Sequence, residues 1–318
     1  MAIADRRQAE PAINPPTAEH SFVEQRIRHH CRGVTMNKDL AILPVHGMGR
    51  TERDFADELR DALKKRLGTA SWRHVHWEPV YYQGLLQKAE DEVFKHLRQA
   101  AELDWIKLRK FMLFSFADAS GLEHGATRPG SVYEQAQKII LQALDTAYNA
   151  LGQELKPVII IAQSLGGQVI SNYLWDSQQP SARLGIWRDG QDQGTPKNTP
   201  RGKFRRLKTL DCLFTTGCNI PLFVASHGRE RIKPVKTRTG GYNFDWYNLY
   251  DEDDILGWPL QPLSTDYKKA VTRDIAVNAG QGIHWLTNAW NPLSHTQYWR
   301  DDEVLKRIER RILAIFNE

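Results

Sequence analysis

The chain has 318 residues, enough for one large domain or two small ones with a sizeable core. Apolar residues make up 41% and charged residues 25%, the profile of an ordinary soluble globular protein rather than a disordered or fibrous one. The net charge of +5 is spread along the sequence. Its densest basic piece, residues 201–208, comes with no nucleic-acid motif and reads as a solvated loop, so no nucleic-acid partner is expected.

No run reaches the ~18 apolar residues of a membrane helix, and the first residues lack the apolar stretch of a secretory signal. Cys31, Cys212 and Cys218 are too few and too scattered for a disulfide framework or a zinc site. A cytoplasmic protein with reduced thiols, no metal and no cofactor is the expectation. Oligomeric state is not legible.

Residues 1–36 are polar, with Pro11, Pro15 and Pro16, and read as a flexible extension ahead of a domain over 37–318. Residues 39–45 form a buried-type strand that ends in His46-Gly47-Met48-Gly49. A strand followed by H-G-x-G brings backbone close to a ligand, because Gly47 and Gly49 carry no side chain. The N–H of Met48 is then a candidate donor to an oxyanion, with His46, Gly47 and Gly49 supporting it. A phosphate loop is excluded, since its spacing and its Lys are missing.

Apolar spacing predicts a helix over 53–67, with Phe55, Leu59, Leu63 and Leu67 on one face, and then a strand over 75–81. His74 and His76 share a side of that strand, but no third ligand lies nearby, so surface or packed histidines are expected. Residues 83–116 are mostly helical and increasingly apolar. The stretch 83–125 reads either as an insertion covering a site or as ordinary helices packed on the sheet. Ser131 is a candidate N-cap for a helix running from Val132 to about Leu151.

The sequence Val158-Ile159-Ile160-Ile161-Ala162-Gln163-Ser164-Leu165-Gly166-Gly167 follows. A β-branched run of strand length meets a single Ser, and small residues and a helical period come next. Strand, sharp turn with Ser at its tip, and helix are the layout of a nucleophile elbow. Ala162 and Gly166, two residues either side of Ser164, are small, as crowding at such a turn requires. Leu165 opens the helix and offers its free N–H as a second oxyanion donor.

Beyond the elbow helix, residues 177–203 read as a long loop. Strands are predicted over 207–216, 244–250 and 273–277, and a final helix over 302–316. Residues 225–243 form a basic, Gly-containing excursion. Strands alternating with helices imply an α/β fold, a mostly parallel central sheet with helices on both faces. In such sheets ligands bind beyond the carboxyl ends of the strands. Met48, Ser164, Asp254 and His295 all follow strands in that way. Asp253 and then Asp251 are alternatives to Asp254 as the acid, and His284 is the rival to His295 as the base.

The stretches around His46, Ser164 and the C-terminal Ser294-His295-x-x-Tyr298-Trp299 resemble those of α/β-hydrolases of the serine esterase and lipase type. The Asp254 loop resembles that of relatives with Asp five residues before a Pro-Leu pair, here Pro259-Leu260. Thr216-Gly217-Cys218 resembles a Gly-Ser-Pro turn, with Cys and Asn replacing the Ser and Pro. The resemblance implies a Ser164–His295–Asp254 triad and a covalent acyl-enzyme, with a small ester or a lipid as substrate. Thioesterase, amidase and acyltransferase chemistry use the same machinery, and a non-catalytic binding protein on the same scaffold is the reading from another class.

Overall fold

The computed structural model describes residues 38–49, 51–123, 125–179, 185–187, 194–279 and 294–317. The expected N-terminal extension, Cys31 and the rival base His284 lie outside the described residues.

Six strands form one sheet: β1 (Leu40–Val45), β2 (Val75–Trp77), β3 (Val158–Gln163), β4 (Leu210–Thr216), β5 (Asp245–Asp251) and β6 (Arg273–Val277). Their order is β2-β1-β3-β4-β5-β6, and every pairing is parallel. All six residues of β1 are buried, as expected of a strand covered on both faces.

Side chains alternate between the two layers with the strand period of two. Leu43, Val45, Ile160 and Leu213 pack on one side with Ile140 and Leu144 of helix Val132–Ala150 and with Ile170 and Tyr173 of helix Leu165–Gln178. Ile42, Ile159, Ile161 and Phe214 pack on the other with Leu59 and Leu63 of helix Asp57–Trp72 and with Val304, Ile308 and Ile312 of helix Asp302–Asn317. In chain order these four helices are α1 (Asp57–Trp72), α4 (Val132–Ala150), α5 (Leu165–Gln178) and α6 (Asp302–Asn317). Between β2 and α4 run α2 (Gln87–Ala100) and α3 (Ile106–Glu123). They meet through Phe94 and Phe114, whose ring centroids are 6.1 Å apart, edge to face.

Most expected elements are present, with shifted ends. α1 starts at Asp57 rather than 53. β2 stops at Trp77, short of the expected 81. The Glu78 and Val80 N–H groups still donate to Ile42 O and Pro44 O, and Pro79 is tolerated between them because its nitrogen faces the open edge of the sheet; Val80 keeps an isolated bridge to Val45. Ser131 caps α4, its hydroxyl accepting the Glu134 N–H at 3.3 Å.

Residues 177–203 are not all loop. A 3-10 turn spans Gly185–Trp187, and a short helix spans Pro200–Arg205. Thr199 caps that helix by accepting the Gly202 N–H at 3.0 Å, and Pro200 is preset for its first turn. Two basic residues of the 201–208 run are ion-paired rather than simply solvated: Arg201 and Arg205 both hold Asp145, at 3.0 and 2.6 Å. His74 and His76 pair with carboxylates, Asp39 at 2.6 Å and Glu78 at 3.1 Å. No described helix is long and apolar enough to cross a membrane.

Candidate functional site

From β1 the chain moves to β2 on one side, and β3 pairs on the other side of β1. The order therefore reverses between β1 and β3, and in open α/β sheets ligands bind beyond the carboxyl ends at such a point. His46-Gly47-Met48-Gly49 leaves β1 there, and Ser164 leaves β3.

Ser164 joins β3 to α5 in a single residue, with φ 51° and ψ −122°. That backbone is strained for a side chain with a Cβ. It is held by the Ser164 N–H, which donates to Thr216 O at 2.8 Å. A strained Ser between a buried parallel strand and a helix, at the reversal point of the sheet, is the nucleophile-elbow geometry. The chain has the α/β-hydrolase fold.

Gly166 is pressed by the end of β1 and the residue after it: a Cβ there would lie 2.5 Å from His46 O and 2.8 Å from Val45 O. Gly166 thus lets the first turn of α5 lie against the end of β1. The loop after β1 reaches the Ser almost as closely, since a Cβ on Gly47 would be 2.8 Å from Ser164 Cβ.

His46 is fully buried, and its ring nitrogens have fixed roles. Nε2 accepts the N–H groups of Tyr82 and Gln83 at 3.1 and 3.2 Å, so the proton is on Nδ1, which donates to Gly47 O at 2.8 Å. Burial pushes its pKa down to about 4, with the Gly47 carbonyl working weakly the other way. The ring also stacks on Tyr82 at 3.9 Å. In a trans peptide the C=O and N–H point in opposite directions. Holding Gly47 O therefore sets the direction of the Met48 N–H in the same peptide. The N–H groups of Met48 and Leu165 donate to nothing among the described residues.

His295 and Asp254 are brought together. His295 Nδ1 lies 2.7 Å from Asp254 Oδ2, with both side chains buried. The carbonyl of His295 accepts a bond from Gln163 Nε2 at 2.7 Å, so the residue before Ser164 anchors the imidazole segment. Burial alone would raise the Asp254 pKa. The hydrogen bond and charge of His295, the Leu256 N–H and the Tyr298 hydroxyl overcome it and hold the carboxylate below its ordinary value. Asp251 does not face the imidazole: its Oδ1 accepts the Asp253 N–H at 2.9 Å, and burial raises its pKa. Asp253 makes no contact with His295 among the described residues.

Ser164 Oγ and His295 Nε2 are both buried and have no hydrogen-bond partner among the described residues. They are not bonded to each other, although a base within ~3 Å of the hydroxyl was expected. Hydrogen bonds of this kind are often long in an empty site and tighten around substrate.

Two contributors were not anticipated. Tyr298 stands in the C-terminal motif, yet its position three residues after His295, on the same side of one turn, was the only signal of its contact with Asp254. Gly217, with φ 54°, lets Asp254, His295 and Tyr298 converge, because a Cβ there would lie 3.0 Å from Asp254 Oδ2 and 3.1 Å from His295 Nδ1. No group of three or more His, Cys, Asp or Glu able to hold a metal occurs among the described residues.

No protein-family model matches the sequence, and no curated protein matches it. Among solved structures, dienelactone hydrolase from Anabaena variabilis ATCC 29413 is similar, at 11% identity over 87% of each chain with a TM-score of 0.36.

Proposed function

We propose that the protein is a serine hydrolase that cleaves carboxylic esters through an acyl-enzyme. One observation carries this reading. A strained, buried Ser and an imidazole tied by Nδ1 to a buried carboxylate sit at one sheet end, and both leave their reactive atoms unpartnered.

The chemistry follows from those groups. Ser164 Oγ attacks the ester carbonyl carbon as its proton passes to His295 Nε2. Asp254 holds the Nδ1–H tautomer and offsets the imidazolium charge. The carbonyl oxygen becomes an oxyanion between the N–H groups of Met48 and Leu165. Collapse of this adduct breaks the bond to the alcohol oxygen, which takes the proton back from Nε2. Water then attacks the acyl-Ser164 ester by the same route and returns the free Ser and the acid. The chain's own side chains supply every proton transfer, so the reaction calls for no cofactor.

A lipid ester is a second reading, favoured by the apolar side chains that α2, α3 and their connection expose. Trp105 is 77% and Phe116 66% exposed, and Val93 and Leu97 are about half exposed. Exposed apolar groups in this number suit an interface with acyl chains.

Both readings are tested by hydrolysis of p-nitrophenyl esters of increasing acyl length, with Ser164→Ala alongside. Hydrolysis lost in Ser164→Ala supports the ester hydrolase, and equal rates in both proteins refute it. A rate that rises once the ester passes its solubility limit selects the lipid substrate.

A further inference from the structure

Behind the His46-Gly47-Met48-Gly49 loop lies a buried polar group that the chemistry above does not use. Asp118 of α3 is completely buried, and its Oδ2 accepts the Gly49 N–H at 2.6 Å. Its Oδ1 accepts from Gln83 Nε2 at 3.2 Å, and Gln83 also reaches Glu90 of α2 at 3.4 Å. The Gln83 amide thus bridges the carboxyls of Glu90 and Asp118, and Glu90 Oε1 is buried with no hydrogen-bond partner among the described residues. The loop is thus gripped at two points. His46 holds the Gly47 carbonyl, and Asp118 holds the Gly49 N–H. Met48 stands between them.

We infer that Asp118 is a positioning residue for the oxyanion loop, and that the proton on Glu90 keeps it in place, so that the helical segment α2–α3 sets the direction of the Met48 N–H. The inference rests on the ester-hydrolase reading. Its physical basis is the cost of two buried negative charges around one amide group. With Glu90 protonated, the single charge sits on Asp118, which accepts from Gly49 and Gln83. With none, the two carboxylates repel and Asp118 leaves the Gly49 N–H.

Burial, then the neighbouring Asp118 carboxylate, push the Glu90 pKa up to about 8. Burial raises Asp118 as well, while Glu90 and the bonds from Gly49 and Gln83 work the other way. The other titratable groups facing the pair among the described residues are Asp91 and Tyr82. Asp91 is held by Lys110 Nζ at 3.1 Å, and the Tyr82 hydroxyl donates to His46 O at 2.6 Å.

The test measures kcat and KM for a short p-nitrophenyl ester from pH 6 to pH 10. The proteins are wild type, Ser164→Ala, Asp118→Ala, Asp118→Asn and Glu90→Gln. The expected kcat of Asp118→Ala is down about tenfold or more, with KM within about twofold, since an oxyanion donor acts on the transition state and its full loss costs ~10²–10³. Asp118→Asn, which retains an oxygen for the Gly49 N–H, recovers most of it. The wild-type kcat falls as pH rises through about 8, and Glu90→Gln, which cannot ionise, abolishes that fall.

Wild-type kcat in Asp118→Ala, together with an inactive Ser164→Ala, overturns the positioning role and leaves the hydrolase standing. An alkaline fall that persists in Glu90→Gln overturns the role of the Glu90 proton. Hydrolysis undiminished in Ser164→Ala removes the hydrolase reading, and the role of Asp118 in it. Should Asp118→Ala fail to fold, Asp118→Asn and Glu90→Gln decide the matter by the same pH profile.

Discussion

The Tyr298 hydroxyl donates to Asp254 Oδ2 at 2.8 Å, on the same oxygen that holds His295 Nδ1 at 2.7 Å. It also accepts the Asp251 N–H at 2.8 Å. One hydroxyl therefore links the end of β5 to the carboxylate that orients the imidazole. Burial and the Asp254 charge push the Tyr298 pKa far up, so the hydroxyl remains a donor across the working pH range.

Tyr298→Phe keeps the ring and removes the link. A hydrogen bond to a charged group contributes about 1.5–3 kcal/mol, and the buried Asp251 N–H loses its acceptor as well. Urea unfolding at pH 7 is expected to show a loss of that order. Asp254 has a depressed pKa, so its contribution is present above the ordinary carboxylate pKa and is lost as pH falls through its folded value. Without Tyr298 the folded value rises towards the ordinary one, and the acid limb of unfolding moves to higher pH.

Gly217→Ala meets two penalties. The backbone has φ 54°, and the new Cβ would lie 2.7 Å from the Tyr298 ring and about 3 Å from the Asp254 and His295 polar atoms. Strain in that region costs of order 1–3 kcal/mol. The expected outcome is a lower melting temperature together with a fall in kcat larger than the change in KM, because the displaced groups are those that position His295. A melting curve and ester kinetics on the same sample check it.

His46 ties stability to pH. Its folded pKa is about 4 and its unfolded value about 6.5, so between these the unfolded chain binds more protons. Stability is then expected to fall as pH drops from about 6.5 to about 4, by roughly 3 kcal/mol from this residue. Urea titrations across that window measure it, and His46→Gln should flatten the slope. The same profile in both proteins would show that His46 is not held neutral.

Much of this was legible in the sequence, because its signals are local. β3 and the elbow declare themselves by a β-branched run, one Ser and small neighbours. Ser131 announces α4, and 273–277 is a strand as its pattern predicts. What escaped depends on contacts across the chain. Asp118 lies 69 residues from Gly49, and nothing around either residue marks the pair. The closeness of Gly166 to Val45 and His46 is a matter of packing between segments far apart in sequence. The choice among Asp251, Asp253 and Asp254 turns on which carboxylate faces the imidazole, and spacing cannot show that. The helix at Pro200–Arg205 was readable from Thr199 and Pro200, but a composition rich in turn residues obscured it.

In the proposed chemistry Ser164 is an activated nucleophile. Reaction of the folded protein with a fluorophosphonate, followed by peptide mass mapping, tests it most directly. A single adduct is expected on the peptide carrying Ser164, absent in Ser164→Ala and formed far more slowly in His295→Ala. Folded wild-type protein that takes no label, or a label that persists in Ser164→Ala, would contradict it.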